Sequence, residues 1–268
     1  MNVQPVLSRI TIYPVKSLDG ISVDKVTISE GGCLLHDREY AMTDEKGHFI
    51  NGKSNSLVHS LRSFYDLENE TIALRPTDKE SWAHFNLQKD KSAIQLYLSY
   101  YFGEKIFLVQ NRTGRFLDIP DISGATILST STLQEVSGWF NITDLDETRR
   151  RLRATIEIEN VPSFWEDHLF SKEGTGIEFK IGDVTMFGMQ PRERCVVPTR
   201  NPETGEVTHA FPKSFAKQRA STLPQWSALA NYRHYYYLSV DCNIPSTEIG
   251  KTIQIGEEIK IIGKKIFH

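Results

Sequence analysis

Short segments in which apolar and polar residues alternate dominate this chain, and most of them end at Gly, Asp or Pro turn residues. Alternation with a period of two predicts β-strands. The segments with this pattern are 9–13, 23–28, 39–43, 48–50, 70–74, 106–109, 155–158, 177–181, 184–187, 252–255 and 259–262. Short strands at this spacing favour barrels or sandwiches over a parallel sheet.

Helical patterns are fewer. Ile94, Leu98 and Tyr101 recur at helical spacing before Gly103, which predicts a helix that ends at this glycine. Thr132 with a glutamate three residues later has the pattern of a capping box and predicts a helix that starts there. Segments 163–170 and 222–232 are further candidates. We therefore expect a mainly β (α+β) fold with a few short helices.

Composition narrows the class of protein. The chain has 268 residues with 39% hydrophobic and 24% charged residues, which is typical of a soluble globular protein. A net charge of -3 argues against non-specific nucleic-acid binding. The N-terminus lacks a secretory signal pattern and no apolar run is long enough to cross a membrane, so we expect a cytoplasmic protein with no membrane or nucleic-acid partner. Cys33, Cys195 and Cys242 are far apart, which argues against a disulfide framework and against an internal four-cysteine iron–sulfur cluster.

The segment 191–206 holds the most distinctive chemistry. It places Cys195 among Arg192, Arg194 and Arg200 in a loop with three prolines. Nearby positive charge stabilises a thiolate, which can attack electrophiles or bind metals, and the same arginines can hold an anion. The alternative is a small buried cysteine. A nucleophile would need a base and a zinc site three or four ligands, and the spacing supplies neither.

Three other basic positions are candidates for anion binding. Lys16 and Ser17 follow the first predicted strand and suit a phosphate oxygen, although a solvated lysine is the simpler reading. Arg38 can bind an anion in the same way, or it can simply form a surface ion pair with a neighbouring carboxylate. Three acids in segment 144–147 locally neutralise the arginines of segment 149–153, which favours a solvated face. Arg153 differs, because it directly precedes a predicted strand and could point into a site.

Three segments in order, 13–17 (Tyr-Pro-Val-Lys-Ser), 36–38 (His-Asp-Arg) and 194–205 (Arg-Cys-Val-Val-Pro-Thr-Arg-Asn-Pro-Glu-Thr-Gly), resemble the MOSC family with its N-terminal β-barrel partner domain. This group includes amidoxime-reducing components. The resemblance covers nearly the whole chain. It implies a smaller β-barrel-like N-terminal domain over residues 1–115, a β-barrel MOSC domain over residues 116–268, and a cofactor in the cleft between them.

In that family the cysteine ligates molybdenum held by a pterin dithiolene, the molybdenum cofactor (Mo-molybdopterin). The resemblance therefore implies that Cys195 is the catalytic thiolate ligand of the metal. It also implies a set of cofactor contacts: Lys16, Ser17, Arg38, Asp121, Ser123, Arg153 and Arg194. The sequence departs from the family pattern in two places. Ala154 and Thr155 stand where the family usually has Pro-Asn, and Arg192 stands where many members have another cysteine.

The function implied by the resemblance is a molybdenum oxidoreductase that reduces small N-hydroxylated substrates such as amidoximes and hydroxylamines. The chain has no cysteine quartet and no dinucleotide fingerprint, so we expect electrons from a separate donor protein, a flavin, haem or iron–sulfur reductase. A different class stays open, in which Cys195 carries a persulfide sulfur or receives the cofactor for delivery elsewhere. A cofactor-binding protein without turnover is a third possibility.

Overall fold

The computed structural model describes residues 4–113, 115–119, 122 and 124–267, and within them the chain is mostly β. Its strands are β1 (Val6–Ile12), β2 (Ile21–Val23), β3 (Lys25–Thr27), β4 (Tyr40–Thr43), β5 (Leu61–Asp66), β6 (Thr71–Pro76), β7 (Ala83–Asn86), β8 (Phe107–Gln110), β9 (Ala125–Ser129), β10 (Ile156–Glu159), β11 (Thr175–Ile181), β12 (Val184–Glu193), β13 (Tyr237–Asn243), β14 (Thr252–Gln254) and β15 (Ile259–Ile266). Its α-helices are α1 (Lys91–Phe102), α2 (Thr130–Trp139), α3 (Leu145–Leu152) and α4 (Phe211–Ser221). Short 3-10 helices lie at Ser56–Ser60, Trp165–Leu169, Val197–Thr199, Ala228–Asn231 and Ser246–Glu248. The prediction of a mainly β fold with a few short helices is confirmed.

The largest sheet has eight strands in the order β15-β11-β12-β13-β9-β10-β1-β2. Its strands pair antiparallel except for β9 and β10, which run parallel. Leu7, Ile10 and Ile12 of β1 are buried in the core against residues of the later strands, and a register shift between Leu7 and Arg9 interrupts the alternation. The first strands of the chain therefore join a sheet that is built mainly from its second half.

A second hydrophobic core lies in the N-terminal part of the chain. It is covered by the β4–β8 pair, the three-stranded sheet β5–β6–β7 and helix α1. Leu61 and Tyr65 of β5 and Ile94 and Leu98 of α1 point into it. The chain thus has two main packing centres, while the boundary between residues 115 and 116 stays a prediction.

The observed helices agree only in part with the helices predicted from the sequence. Helix α1 ends at Gly103, which has a φ of 72° as a left-handed C-cap requires. The capping box was wrong in register, because the N-cap of α2 is Ser129, whose hydroxyl accepts the Thr132 N–H. Segments 163–170 and 222–232 form only 3-10 turns, and α3 and α4 were not predicted. No helix in the described ranges combines the length and apolarity needed to cross a membrane.

Candidate functional site

A cleft of about 690 Å³ opens where four distant parts of the chain meet. They are the turn after β1, the loop before β4, the end of α3 and the segment that follows β12. The cleft is lined by every predicted site residue that the structure describes: Lys16, Ser17, Arg38, Arg153, Arg194 and Cys195. The two remaining predicted contacts, Asp121 and Ser123, lie outside the described residues. Cofactor contact by any of these residues stays a prediction.

Three lining residues have a backbone conformation that L-amino acids rarely adopt. Ser17, Arg38 and Arg153 have φ values of 76°, 51° and 55°. Arg153 is the C-cap of α3 and its N–H donates to the carbonyl of Arg149, so the helix ends by turning sharply at this arginine. Left-handed non-glycine residues are costly and cluster at functional sites.

The ring of Tyr13 organises two of the arginines. The guanidinium carbons of Arg38 and Arg153 lie 4.6 and 4.1 Å from its centroid, at cation–π distance. The carboxylate of Asp37 fixes this group, since Oδ1 accepts the Tyr13 N–H at 2.8 Å and Oδ2 accepts from Arg38 Nη1 at 2.5 Å. Arg153 Nη2 donates to the carbonyl of Leu18 at 2.7 Å.

The two arginines differ in their electrostatic balance. Burial alone would lower the pKa of Arg38, but the adjacent Asp37 raises it above its ordinary value. Burial lowers the pKa of Arg153, and repulsion from Arg38 lowers it further. A bound anion at this place would favour the charged form of Arg153.

Lys16 and Arg192 converge on a second carboxylate. Lys16 Nζ donates to Asp118 Oδ1 at 2.7 Å and to the Phe116 carbonyl at 2.7 Å. Arg192 Nη2 donates to Asp118 Oδ2 at 3.0 Å, and its Nη1 donates to the buried Asp241 at 2.6 Å. Burial opposes ionisation of Asp118, but Lys16 holds its pKa well below the ordinary range. Burial lowers the pKa of Lys16 despite this partner.

Cys195 lies immediately beyond β12 and is the one partly exposed cysteine of the three, since Cys33 and Cys242 are buried. Tyr236 holds this segment at two points. Its hydroxyl donates to the Cys195 carbonyl at 3.1 Å, and its own carbonyl accepts the Arg194 N–H at 3.0 Å. The thiol is thus held at the cleft wall by main-chain contacts.

Arg194 has an unused donor. Its Nη2 donates to the Leu152 carbonyl at 2.7 Å, whereas its Nε is buried without a hydrogen-bond partner in the part of the chain that the structure describes. Burial, followed by repulsion from Arg192, lowers the pKa of Arg194. Leaving a buried donor unpaired costs about 1–3 kcal/mol, so a ligand that accepts from Nε would be bound favourably.

The described lining of the cleft carries eight lysines and arginines against four aspartates and glutamates. This excess favours an anionic ligand in a chain whose net charge is -3. No group of three or more His, Cys, Asp or Glu side chains among the described residues could hold a metal ion. A phosphate-bearing dithiolene cofactor fits this donor set, with cations for its phosphate and a thiol for its metal.

Several lining residues were not predicted as site residues. Asp37 is the middle residue of the His-Asp-Arg motif at 36–38, and that motif was the available sequence signal. Arg62, His59 and Asp118 carried no sequence signal, because only the packing of distant segments brings them to the cleft. Arg150 belongs to segment 149–153, which we expected to be a solvated face, yet it lines the cleft. Arg200 does not line it.

Comparisons with known proteins agree with the N-terminal assignment. Residues 4–99 match the family model of the MOSC N-terminal beta barrel domain. A molybdenum cofactor sulfurase of Arabidopsis thaliana is 31% identical over 84 residues, which are 31% of this chain and 10% of that protein. A molybdenum cofactor sulfurase of Oryza sativa subsp. japonica is 39% identical over 62 residues, 23% of this chain and 7% of that protein.

The matches thus span a tenth or less of the length of these curated relatives. Among solved structures, a YUAD protein from Bacillus subtilis aligns over 96% of this chain and 95% of its own, with 13% identity and a TM-score of 0.42. The predicted resemblance of the N-terminal part to the MOSC family is confirmed: residues 4–99 match the MOSC N-terminal beta barrel domain.

Proposed function

We propose that the cleft binds the molybdenum cofactor and that the protein is an oxidoreductase that reduces N-hydroxylated substrates. One observation carries the proposal. The fold collects the partly exposed Cys195 and four cationic side chains from remote segments into one cavity: Lys16, Arg38, Arg153 and Arg194. Such a set suits a single ligand that contains both a thiophilic metal and a phosphate.

The roles of the residues follow from their contacts. Cys195 Sγ would be the protein ligand of the metal, positioned through the hydrogen bond of Tyr236 to its carbonyl. Arg194 Nε, which is buried and unpaired among the described residues, would donate to the cofactor. Arg38 and Arg153, fixed against the ring of Tyr13, would hold its anionic groups. The cofactor would supply the two-electron chemistry, and the protein would bind, orient and charge-balance it.

Electrons would come from a separate protein that carries a flavin, haem or iron–sulfur centre. A different function is favoured by the names of the relatives, which are molybdenum cofactor sulfurases. In that alternative Cys195 carries a persulfide or passes the cofactor on, and the same cleft serves as a transfer site.

The deciding experiment uses the full chain purified from a host that makes the cofactor. Metal analysis and reduction of benzamidoxime by a chemical electron donor are measured for wild type, Cys195→Ala and Cys195→Ser. Cys33→Ala is the control, since Cys33 is buried elsewhere. We expect stoichiometric molybdenum and turnover in wild type and in the control. We expect both to be lost in Cys195→Ala and turnover to be lost in Cys195→Ser.

The other outcomes separate the alternatives. Persulfide on Cys195 without molybdenum would support the sulfur carrier and contradict the reductase. Full molybdenum without benzamidoxime reduction would support a cofactor-binding protein that does not turn over this substrate class. Molybdenum that persists in Cys195→Ala would refute the assignment of the metal ligand.

A further inference from the structure

A second cavity of about 360 Å³ lies beside the cleft, and we call it the side pocket. It is walled by β1 on one side and by the outer face of the β5–β6–β7 sheet on the other. Asp19, Arg62 and Arg150 line both cavities, so the two are neighbours. Tyr13, which stacks with the arginines of the cleft, also lines the side pocket.

Two arginines are neighbours on adjacent strands of the sheet that forms one wall. Arg62 of β5 and Arg75 of β6 are directly opposed in the strand register. Like charges at directly opposed positions destabilise a sheet. Arg62 lies 3.3 Å from the carboxylate of Asp19, whereas Arg75 forms no ion pair within the described ranges. The wall therefore holds more positive charge than its own carboxylates balance.

Arg9 adds a third guanidinium from β1. It stands opposite Glu157 in the β1–β10 register, but both oxygens of Glu157 accept from Arg149 at 2.8 Å. The Nε atoms of Arg9, Arg62 and Arg75 are all buried, and none has a hydrogen-bond partner among the residues the structure describes. Arg62 Nη2 donates to the His59 carbonyl and Arg75 Nη1 donates to the Lys79 carbonyl, so these two groups are partly satisfied. The Nε donors that stay unpaired indicate a place for a further acceptor at this cavity.

Two exposed aromatic side chains also line the side pocket. Phe64 is 63% exposed and Trp82 is 39% exposed, although both border this cavity. The guanidinium of Arg75 lies 4.9 Å from the Trp82 ring, so apolar and cationic surfaces adjoin. A flat ring would cover the aromatic side chains while an anionic group at its edge met the arginines.

We propose that the side pocket binds a planar aromatic carboxylate. The carboxylate accepts from the guanidinium groups of Arg9 and Arg75, and the ring packs on Trp82 and Phe64. The site is separate from the cofactor contacts around Cys195, and its occupancy does not depend on the proposed reaction.

Isothermal titration calorimetry with 2-naphthoate tests this site on the full chain, purified from a host that makes the molybdenum cofactor. The neutral isostere 2-naphthamide reports the part of the affinity that depends on the charge. We expect 2-naphthoate to bind at least about tenfold more tightly than 2-naphthamide, because a hydrogen bond to a charged group exceeds a neutral one by that order. We expect Arg9→Gln and Arg75→Gln each to weaken 2-naphthoate about tenfold or more.

Two controls locate the binding. Arg112→Gln removes an arginine that is 66% exposed and does not line the pocket, and it should leave the affinity unchanged. Arg194→Gln should also leave the affinity for 2-naphthoate unchanged. If only this variant loses affinity, the anion binds in the cleft and the proposal is overturned. Equal affinities for 2-naphthoate and 2-naphthamide in wild type would overturn it without any variant. Because the readout is binding, a protein without molybdenum or turnover still gives a decisive result.

Discussion

The ion pair beneath the cleft offers a quantitative test of how this site is held. Asp37→Asn keeps the size of the side chain and an oxygen for the Tyr13 N–H, but it removes the negative charge beside Arg38. The side chains of Asp37 and Arg38 are only 1% and 16% exposed. Water therefore cannot replace the lost carboxylate. The amide nitrogen of the asparagine would face Arg38 Nη1, and neither of these donors would have an acceptor.

The expected magnitude follows from the burial of both partners. Removing one partner of a buried ion pair costs about 3–5 kcal/mol. The retained contact to the Tyr13 N–H places Asp37→Asn at the lower end, about 3 kcal/mol. A protein of this size loses about 2–4 °C of melting temperature per kcal/mol, which gives a fall of about 6–12 °C.

Thermal unfolding of cofactor-free protein, followed by circular dichroism, measures this change. Asp78→Asn is the matched control, because Asp78 is 74% exposed and lies 3.4 Å from Lys79, which is 65% exposed. A surface pair of this kind contributes about 0–1 kcal/mol. If Asp37→Asn lowers the melting temperature no more than Asp78→Asn does, the ion pair does not hold Arg38 in place and the reasoning fails.

Three further predictions concern other parts of the molecule. Burial raises the pKa of Glu166 from 4.5 to about 7, so the folded state binds this proton more tightly than the unfolded state does, and the stability of the wild-type protein falls by about 3 kcal/mol as pH rises from about 4.5 to 7. Glu166→Gln has no such proton, so its melting-temperature advantage over wild type should grow between pH 5 and pH 8. A difference that stays constant over this range would contradict the prediction. Tyr236→Phe removes the hydrogen bond to the Cys195 carbonyl, so it should cost about 1 kcal/mol in denaturant unfolding and lower the molybdenum content. Gly188→Ala would place a Cβ 1.8 Å from the backbone carbonyl oxygen of Leu169 and should prevent normal folding. Gly138→Ala in α2 is the control, because its Cβ would have no atom within 4 Å, and it should be neutral or stabilise by up to about 1 kcal/mol in the same assay.

Strand prediction worked for strands such as β1 and failed for β5, where a buried serine (Ser63) and an exposed phenylalanine (Phe64) reverse the expected polarity although one face is buried. In β1 the buried and partly buried positions produce an alternation that the sequence displays. In β9 all five residues are buried, and in β13 six of seven are buried, so neither segment shows a period of two. Both strands lie in the middle of the eight-stranded sheet, where packing on both faces removes the signal. Helix α3 was not predicted because its charged sequence lacks a wide apolar stripe. Ion pairs such as the one between Arg151 and Glu147 form along it instead.

The sequence by itself determined that one cysteine stands among three arginines in the loop 191–206, and it determined the match of residues 4–99 to the MOSC N-terminal beta barrel domain. Both are carried by short contiguous motifs, at residues 13–17, 36–38 and 194–205. Only the tertiary structure decided that Lys16, Arg38, Arg153 and Cys195 line one cavity, since more than a hundred residues separate the first two from the last two. It also decided which guanidinium groups are neutralised by carboxylates and which keep a donor free, because Coulomb energy and desolvation depend on distances in space that the order of residues does not contain.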